Sequence, residues 1–357
     1  MVSVSELKHK FFAFSKSSHG RGEASPRRTA ISFAVLSIMM LGAVGLYYYS
    51  RTFSKIRYLT DRPIPIPIAE GAIQEVLARA TPHLIGMIAC AFVLAAVSLS
   101  FQTITQSRVL TPSMVGFDSV FIGAQTLIVF FLGARHVLFA NPFINYALSA
   151  GIMVVVSMLM FGAIMRSHRN NIVFLLMFGL VLSSIVMSSS TYLRLLMTEG
   201  DFFQLMARTS VNVNNMNVTI VWITLPIMIG VCAATLFRHR RYNVMVLGSE
   251  QAKGLGIHYE RELRMNLILI AIGMSAVTAL IGPLTFLGLL AVNAAREVFK
   301  TYKHLPLFIG SAMMSAVVLI AGQGAMEMIM GAVPVTVFID VVGCAYVFYL
   351  VLKENRI

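Results

Sequence analysis

Residues 240–264 read Arg240-Arg-Tyr-Asn-Val-Met-Val-Leu-Gly-Ser-Glu-Gln-Ala-Lys-Gly-Leu-Gly-Ile-His-Tyr-Glu-Arg-Glu-Leu-Arg264, a polar stretch set between two long apolar runs. A plain linker would need neither the periodic apolar set Val244, Leu247, Ala252 and Leu255 nor the glycines Gly248, Gly254 and Gly256. Apolar residues at that spacing form one face of a helix, and glycines just past such a face end short helices. The stretch predicts helix, turn, helix, lying where a membrane protein meets a soluble partner.

Outward from this insert the chain is overwhelmingly apolar. Hydrophobic residues make up 57% and charged residues 12% of the sequence, against roughly 45–50% and 25% in soluble globular proteins. The apolar runs are each about 20 residues long, enough for a helix rising about 1.5 Å per residue to cross about 30 Å of hydrocarbon. An all-α polytopic membrane fold follows, because helices satisfy their own backbone hydrogen bonds in lipid. The formal charge of +13 does not indicate nucleic acid, since the basic residues flank apolar spans rather than forming an aromatic-interleaved patch. Cys90, Cys232 and Cys344 lie inside apolar spans without ligand spacing and read as small core residues. Residues 1–29 form a basic tail without an apolar core of their own, and Ile31 to Tyr49 reads as a retained first helix rather than a cleaved signal. Residues 30–357 then form a single transmembrane domain.

Ten spans are expected, at about 30–49, 84–104, 112–131, 143–165, 172–197, 218–237, 265–283, 285–297, 306–323 and 334–352. The eighth would reach only about 20 Å as a straight helix, so a re-entrant segment is the competing reading. Charge favours ten crossings. With both termini in the cytoplasm, most of the 28 basic residues fall on the cytoplasmic side, including Arg108, Arg238, Lys253, Lys300 and Lys303. On the other side, residues 50–83 form the largest loop, where Pro63-Ile-Pro-Ile-Pro67 predicts a stiff extended path. Residues 198–217 form the second substantial outer connection.

No catalytic signature is present: there is no H-E-x-x-H, G-x-S-x-G, phosphate loop or dinucleotide fingerprint. The scattered histidines read as interfacial groups and the 23 methionines as packing residues, so no metal site is expected. Ser184, Ser188 and Thr191 share one face of the fifth span; they are pathway candidates, although small hydroxyl residues more often serve helix packing. Asp118 lies early in span three, Glu327 near an outer boundary and Asp340 well inside the last span, a distribution that does not support a proton relay.

Several blocks together resemble one family. Leu247-Gly-Ser-Glu-Gln-Ala-Lys-Gly-Leu-Gly256 resembles the coupling loop of the permease subunits of iron-siderophore ABC importers, the family that includes the vitamin B12 permease. Arg79-Ala-Thr-Pro-His-Leu84 and Phe101-Gln-Thr-Ile-Thr-Gln-Ser-Arg-Val-Leu-Thr-Pro-Ser-Met-Val-Gly116 resemble its R-x-P-R and Q-x-x-x-x-N-x-L-A-x-P-x-x-x-G blocks. Gly282-Pro-Leu-Thr-Phe-Leu-Gly-Leu-Leu-Ala-Val-Asn-Ala-Ala-Arg296 is similar to the G-x-I-x-F-x-G-L-x-x-P-H-x-x-R block, and Val333-Pro-Val335 to the L-P-x-G site. The order matches across residues 31–352. Two departures stand out: His83 replaces the second arginine after one extra residue, and Val292-Asn293 replaces the P-H pair. The Leu110-Thr-Pro-Ser113 wording is closest to a petrobactin- and anguibactin-like subgroup associated with catecholate-type siderophores.

The resemblance implies an ABC type II importer permease fold in a bacterial inner membrane. It implies ATPase coupling through Leu247, Gly248, Glu250, Ala252, Leu255 and Gly256, docking of a binding protein at Arg79, and Gln102 as a further pathway candidate. The implied partners are a second, non-identical permease, two cytoplasmic ATPase subunits, an external siderophore-binding protein and the bilayer. This chain is expected to bind no cofactor, with ATP and magnesium on the ATPase and Fe3+ carried by the substrate. An ion-coupled secondary transporter, or a permease for another chelate such as B12 or haem, stays open as an alternative.

Overall fold

In a computed structural model the chain is described for residues 26–60, 66–167, 172–211, 213, 216–329 and 335–354. All regular structure among these residues is helical. In chain order the helices are α1 (Pro26–Thr60), α2 (Ile66–Thr105), α3 (Phe117–Leu132), α4 (Val137–Ala140), α5 (Pro142–Ser167), α6 (Ile172–Leu195) and α7 (Glu199–Thr209). They continue as α8 (Val218–Phe237), α9 (His239–Met245), α10 (Ser249–Gly254), α11 (Tyr259–Ile281), α12 (Leu287–Phe299), α13 (His304–Ile329) and α14 (Val335–Glu354), with a 3-10 turn at Pro112–Val115. Among the described residues seven helices are long and apolar enough to cross a membrane, and α3 and α14 are shorter apolar helices.

The stretch Ala80–Thr105 of α2 is the centre of the bundle, contacting α8, α11, α12 and α13. A helix that is apolar on every side has no face suited to water and belongs inside. Close helix approach depends on small residues here. A Cβ on Gly288 of α12 would overlap Ser98 of α2, and one on Gly273 of α11 would press on Val97 at 2.7 Å. In lipid, where apolar burial does not drive helix association, such backbone proximity supplies the packing energy.

Polar locks add specificity. Gln125 of α3 and Asn145 of α5 exchange two amide hydrogen bonds of 3.0 Å, and Gln125 also donates to Ser149 Oγ at 2.6 Å. Arg51 of α1 pairs with Glu327 of α13 at 3.2 Å, while Ser50 and Gln323 also donate to the Glu327 carboxylate. Glu327, near a boundary in the sequence, is thus a structural ion-pair partner.

Every expected span coincides with a helix, yet three features differ from expectation. The outer connection 50–83 is far shorter than expected, because α1 continues to Thr60 and α2 starts at Ile66. Pro63 to Pro65 lie outside the described residues, but Pro67 sits in the first turn of α2 and not in an extended path; the missing N–H of proline costs nothing there. The 198–217 connection contains α7, whose Thr198 cap accepts from Asp201 N. Span eight is the separate helix α12. The chain before it packs Gly282 against Val211 beside α7, and the chain after it bonds His304 N to Asn243 of α9. The chain through segment eight therefore runs between opposite ends of the bundle.

Candidate coupling face and outer cavity

The basic end of the bundle carries residues 238–264. After α8 the chain turns at Arg238, forms α9, reverses at Gly248, forms α10 and turns again at Gly256 into α11. Gly248 adopts φ 98° and ψ 166°, a region essentially reserved for glycine. A Cβ there would also stand 3.2 Å from Gln106 Nε2. Gly256 adopts φ 83° in open surroundings, so only the backbone demands glycine there.

Side-chain bonds hold this excursion against the bundle. Glu262 receives both Arg238 and Arg241. Tyr242, its hydroxyl pushed up to about 12 by burial, stays neutral and donates to Asn266 Oδ1 at 2.6 Å. Asn243 Oδ1 accepts from His304 N at 2.9 Å and from His304 Nδ1 at 2.8 Å, and the far ring nitrogen of His304 lies 2.9 Å from Thr103 Oγ1 of α2. The base of the excursion is thus tied to α2, α11 and α13. None of Glu262, Asn243, His304 and Thr103 was legible as a site, because each pairs with a residue at least twenty positions away in the chain.

The expected coupling residues divide into three sets. Leu247, Glu250 and Leu255 are exposed, and Leu255 is 63% accessible despite being aliphatic. Gly248 and Gly256 shape the turns between them. Ala252 is fully buried and packs α10 onto the bundle, so it does not share the exposed surface of Leu247, Glu250 and Leu255. Arg79 lies on α2 near the opposite end, with its side chain outside the described residues.

The pathway candidates also separate. Ser184, Ser188 and Thr191 lie exposed on α6, with Ser184 and Thr191 bonded back to the carbonyls of Leu180 and Met187. All three therefore lie on an outward face of the single chain. Gln102 is 2% exposed and enclosed in the bundle, so it faces no open pathway in this conformation.

At the end opposite the excursion, a cavity of about 570 Å³ opens between α5, α7, α8 and the end of α11, lined by Asn145, Tyr146, Arg208, Asn217 and Gly282 among others. Asp201 organises its rim by accepting from Ala134 N at 3.0 Å and from Thr198 Oγ1 at 2.8 Å. The Ala134 amide, then the Thr198 hydroxyl, hold the Asp201 carboxyl below its usual value.

The family description "FecCD transport family" matches residues 30–353. The petrobactin import system permease protein YclO of Bacillus subtilis (strain 168) is 36% identical over 72% of this chain and 82% of its own length. The petrobactin import system permease protein FatC of Bacillus anthracis is 29% identical over 78% and 75%. The iron(3+)-hydroxamate import system permease protein FhuG of Bacillus subtilis is 25% identical over 90% and 97%. A solved structure assigned to the metal-chelate type of ABC transporter, in an inward-facing conformation, superposes with a TM-score of 0.71 at 16% identity, covering 89% of this chain and 99% of that one. With the family description matching nearly the whole chain and a relative 36% identical over most of it, this membrane permease belongs to the FecCD transport family.

Proposed function

We propose that this chain is one of two non-identical permeases in an ATP-driven importer of a ferric siderophore of the petrobactin-like, catecholate-bearing kind. The observation that carries the reading is the excursion 238–264. Its exposed residues Leu247, Glu250 and Leu255 are presented by two glycine-dependent turns, while its base is bonded to three bundle helices. Such a rigid mount can pass a push from a soluble motor into the bundle, which a flexible loop could not do.

The basic end faces the cytoplasm in this reading, following the positive-inside rule, and Arg79 faces an external binding protein. The exposed faces of α6 and α14, with Leu180, Ile185, Tyr192, Val337, Val341 and Phe348 outward, meet the second permease and the pathway. The substrate class rests on the two relatives named for petrobactin import. A large polar chelate cannot cross about 30 Å of hydrocarbon unaided, so the permeases supply two facing states and the ATPase shifts their populations. The test is reconstitution into liposomes with the ATPase, the second permease and the binding protein. Radio-iron uptake with ferric petrobactin should require internal ATP. Uptake driven by an ion gradient without ATP would overturn the mechanism, and preference for a hydroxamate or B12 would overturn the substrate class.

A further inference from the structure

The polar contacts of the excursion do not end on equivalent helices. Arg238 and Arg241 meet Glu262, and Tyr242 donates to Asn266, both near the start of α11, the helix into which the excursion itself runs. Such bonds close the excursion onto its own continuation. Asn243 reaches further: through His304, the first residue of α13, it is joined to Thr103 on the central helix α2. Ser100, one turn before Thr103 and on the same side of α2, has its hydroxyl within reach of Tyr242. Gln106, just past the end of α2, turns its amide toward the Gly248 turn. The last turns of the central helix therefore face the excursion directly.

Hydrogen-bonding chemistry fixes the hydrogens along this series. The backbone N–H of His304 can only donate, so the Asn243 atom 2.9 Å from it is the amide oxygen. Nδ1 of His304 lies 2.8 Å from that same oxygen and must carry a hydrogen. A neutral imidazole has no second hydrogen, so the one between Nε2 and Thr103 Oγ1, 2.9 Å apart, belongs to the hydroxyl. That hydroxyl has another acceptor in place, Leu99 O at 2.8 Å. A buried hydroxyl that loses its partner is destabilising, and Thr103 avoids this by turning to Leu99. The contact between α13 and α2 can thus be released and remade without stranding the Thr103 hydroxyl. Packing holds the ring at the junction: His304 and Thr103 are buried, and the imidazole stacks on Tyr242 with centroids 5.8 Å apart at 25°. Tyr242 in turn shares one cluster with Leu99, Val292 and Phe308.

We propose that His304 is a positioning residue for transport. Bonded to Asn243 on one side and Thr103 on the other, it passes displacement of the excursion to the end of α2 and so sets how much chelate moves for each ATP consumed. Because α2 packs on α8, α11, α12 and α13, a shift of its end reaches all four. The inference rests on the reading of this chain as the permease of an ATP-driven importer, and names the residue through which that coupling enters the bundle.

The test uses the complete transporter in liposomes and reads the ratio of ferric petrobactin taken up to ATP hydrolysed, a quantity independent of how much transporter assembles. Thr103→Val, of similar shape without the hydroxyl, and His304→Phe, which keeps a ring against Tyr242, should each lower the ratio about fivefold, the factor that corresponds to a coupling free energy of about 1 kcal/mol. Thr103→Ser retains the hydroxyl and should keep the wild-type ratio. Asn243→Ala should match Thr103→Val, and the double variant should be no worse than either, because one series cut twice loses nothing more. A purely structural role predicts lower melting temperatures and less uptake at an unchanged ratio. That outcome, a wild-type ratio in His304→Phe, or a double variant whose loss is the product of the two single losses would overturn the proposal. Hydrogen exchange on the wild-type complex separates this failure from failure of the importer reading. ATP should alter exchange in residues 240–256 and in residues 99–106, and Thr103→Val should lose the second response alone. A response in the excursion with none in 99–106 would overturn the relay and leave the importer reading standing; no response in the excursion would overturn the importer reading and the relay with it.

Discussion

Gly248 and Gly256 show how much a single backbone angle can carry. Both hold positive φ, and Gly248 combines it with a ψ near 166° that other residues avoid. Gly256→Val puts a β-branched residue at positive φ and should cost about 1–3 kcal/mol locally. In the reconstituted importer it should lower substrate-stimulated ATP hydrolysis and uptake together; unchanged values in both would remove this turn from the coupling reading. Gly248→Ala should be the more severe, since its Cβ also crowds Gln106. Asp201 illustrates a residue whose role depends on protonation. Its carboxyl is held below the usual value, near 3.8, by the Ala134 amide and the Thr198 hydroxyl. A depressed folded-state value means its contribution is complete above that pH and is lost as the pH falls through the folded value. Asp201→Asn should therefore flatten the acid limb of a melting curve recorded between pH 5 and pH 3, a change readable by scanning fluorimetry.

At the scale of elements, apolar helices are held in register by a few polar contacts. Gln125 and Asn145 each donate to and accept from the other, so replacing one leaves the other with an unpaired amide oxygen or hydrogen inside the span. Gln125→Leu should lower stability by about 1–2 kcal/mol, measured by unfolding in detergent, while the double variant Gln125→Leu/Asn145→Leu should recover part of that loss. If the double variant is simply the sum of two losses, the reciprocal pairing is not the source of the stability. The excursion behaves as one element for a similar reason. Its α9 is bonded through Asn243 to His304, and through His304 to Thr103 on the central helix.

The whole molecule is a bundle whose two ends differ in chemistry, basic with a mounted excursion at one end and a polar cavity at the other. If the basic end is cytoplasmic, single cysteines at Ser17, Lys253 and Asn355 should react only from the cytoplasm and one at Asp61 only from outside. Reaction of Asn355 from outside would break the ten-crossing count. Pairing belongs to this scale too. The faces of α6 and α14 expose several large apolar side chains, which lipid or a second permease can each cover. Expressed alone with the ATPase and binding protein, this chain should support little siderophore-iron uptake; full activity without a second permease gene would establish a homodimer.

Composition and periodicity alone determined the membrane class, the positions and order of the long apolar helices and the place of the polar excursion between them. Those properties depend on how many consecutive residues avoid water and on where glycines and charges interrupt them, quantities local to the chain. Tertiary structure decided what no local pattern encodes. It turned Ala252 inward and Ser184, Ser188 and Thr191 outward, because the side a residue faces depends on which helices surround it. It enclosed Gln102, carried helices into the outer connection as far as Thr60 and from Ile66, and brought Asp118 and Thr285 together across the bundle. Partners separated by more than fifty positions leave no periodic trace in a sequence; only the packing of small residues such as Gly288 against Ser98 and Gly343 against Phe286 selects which helices become neighbours.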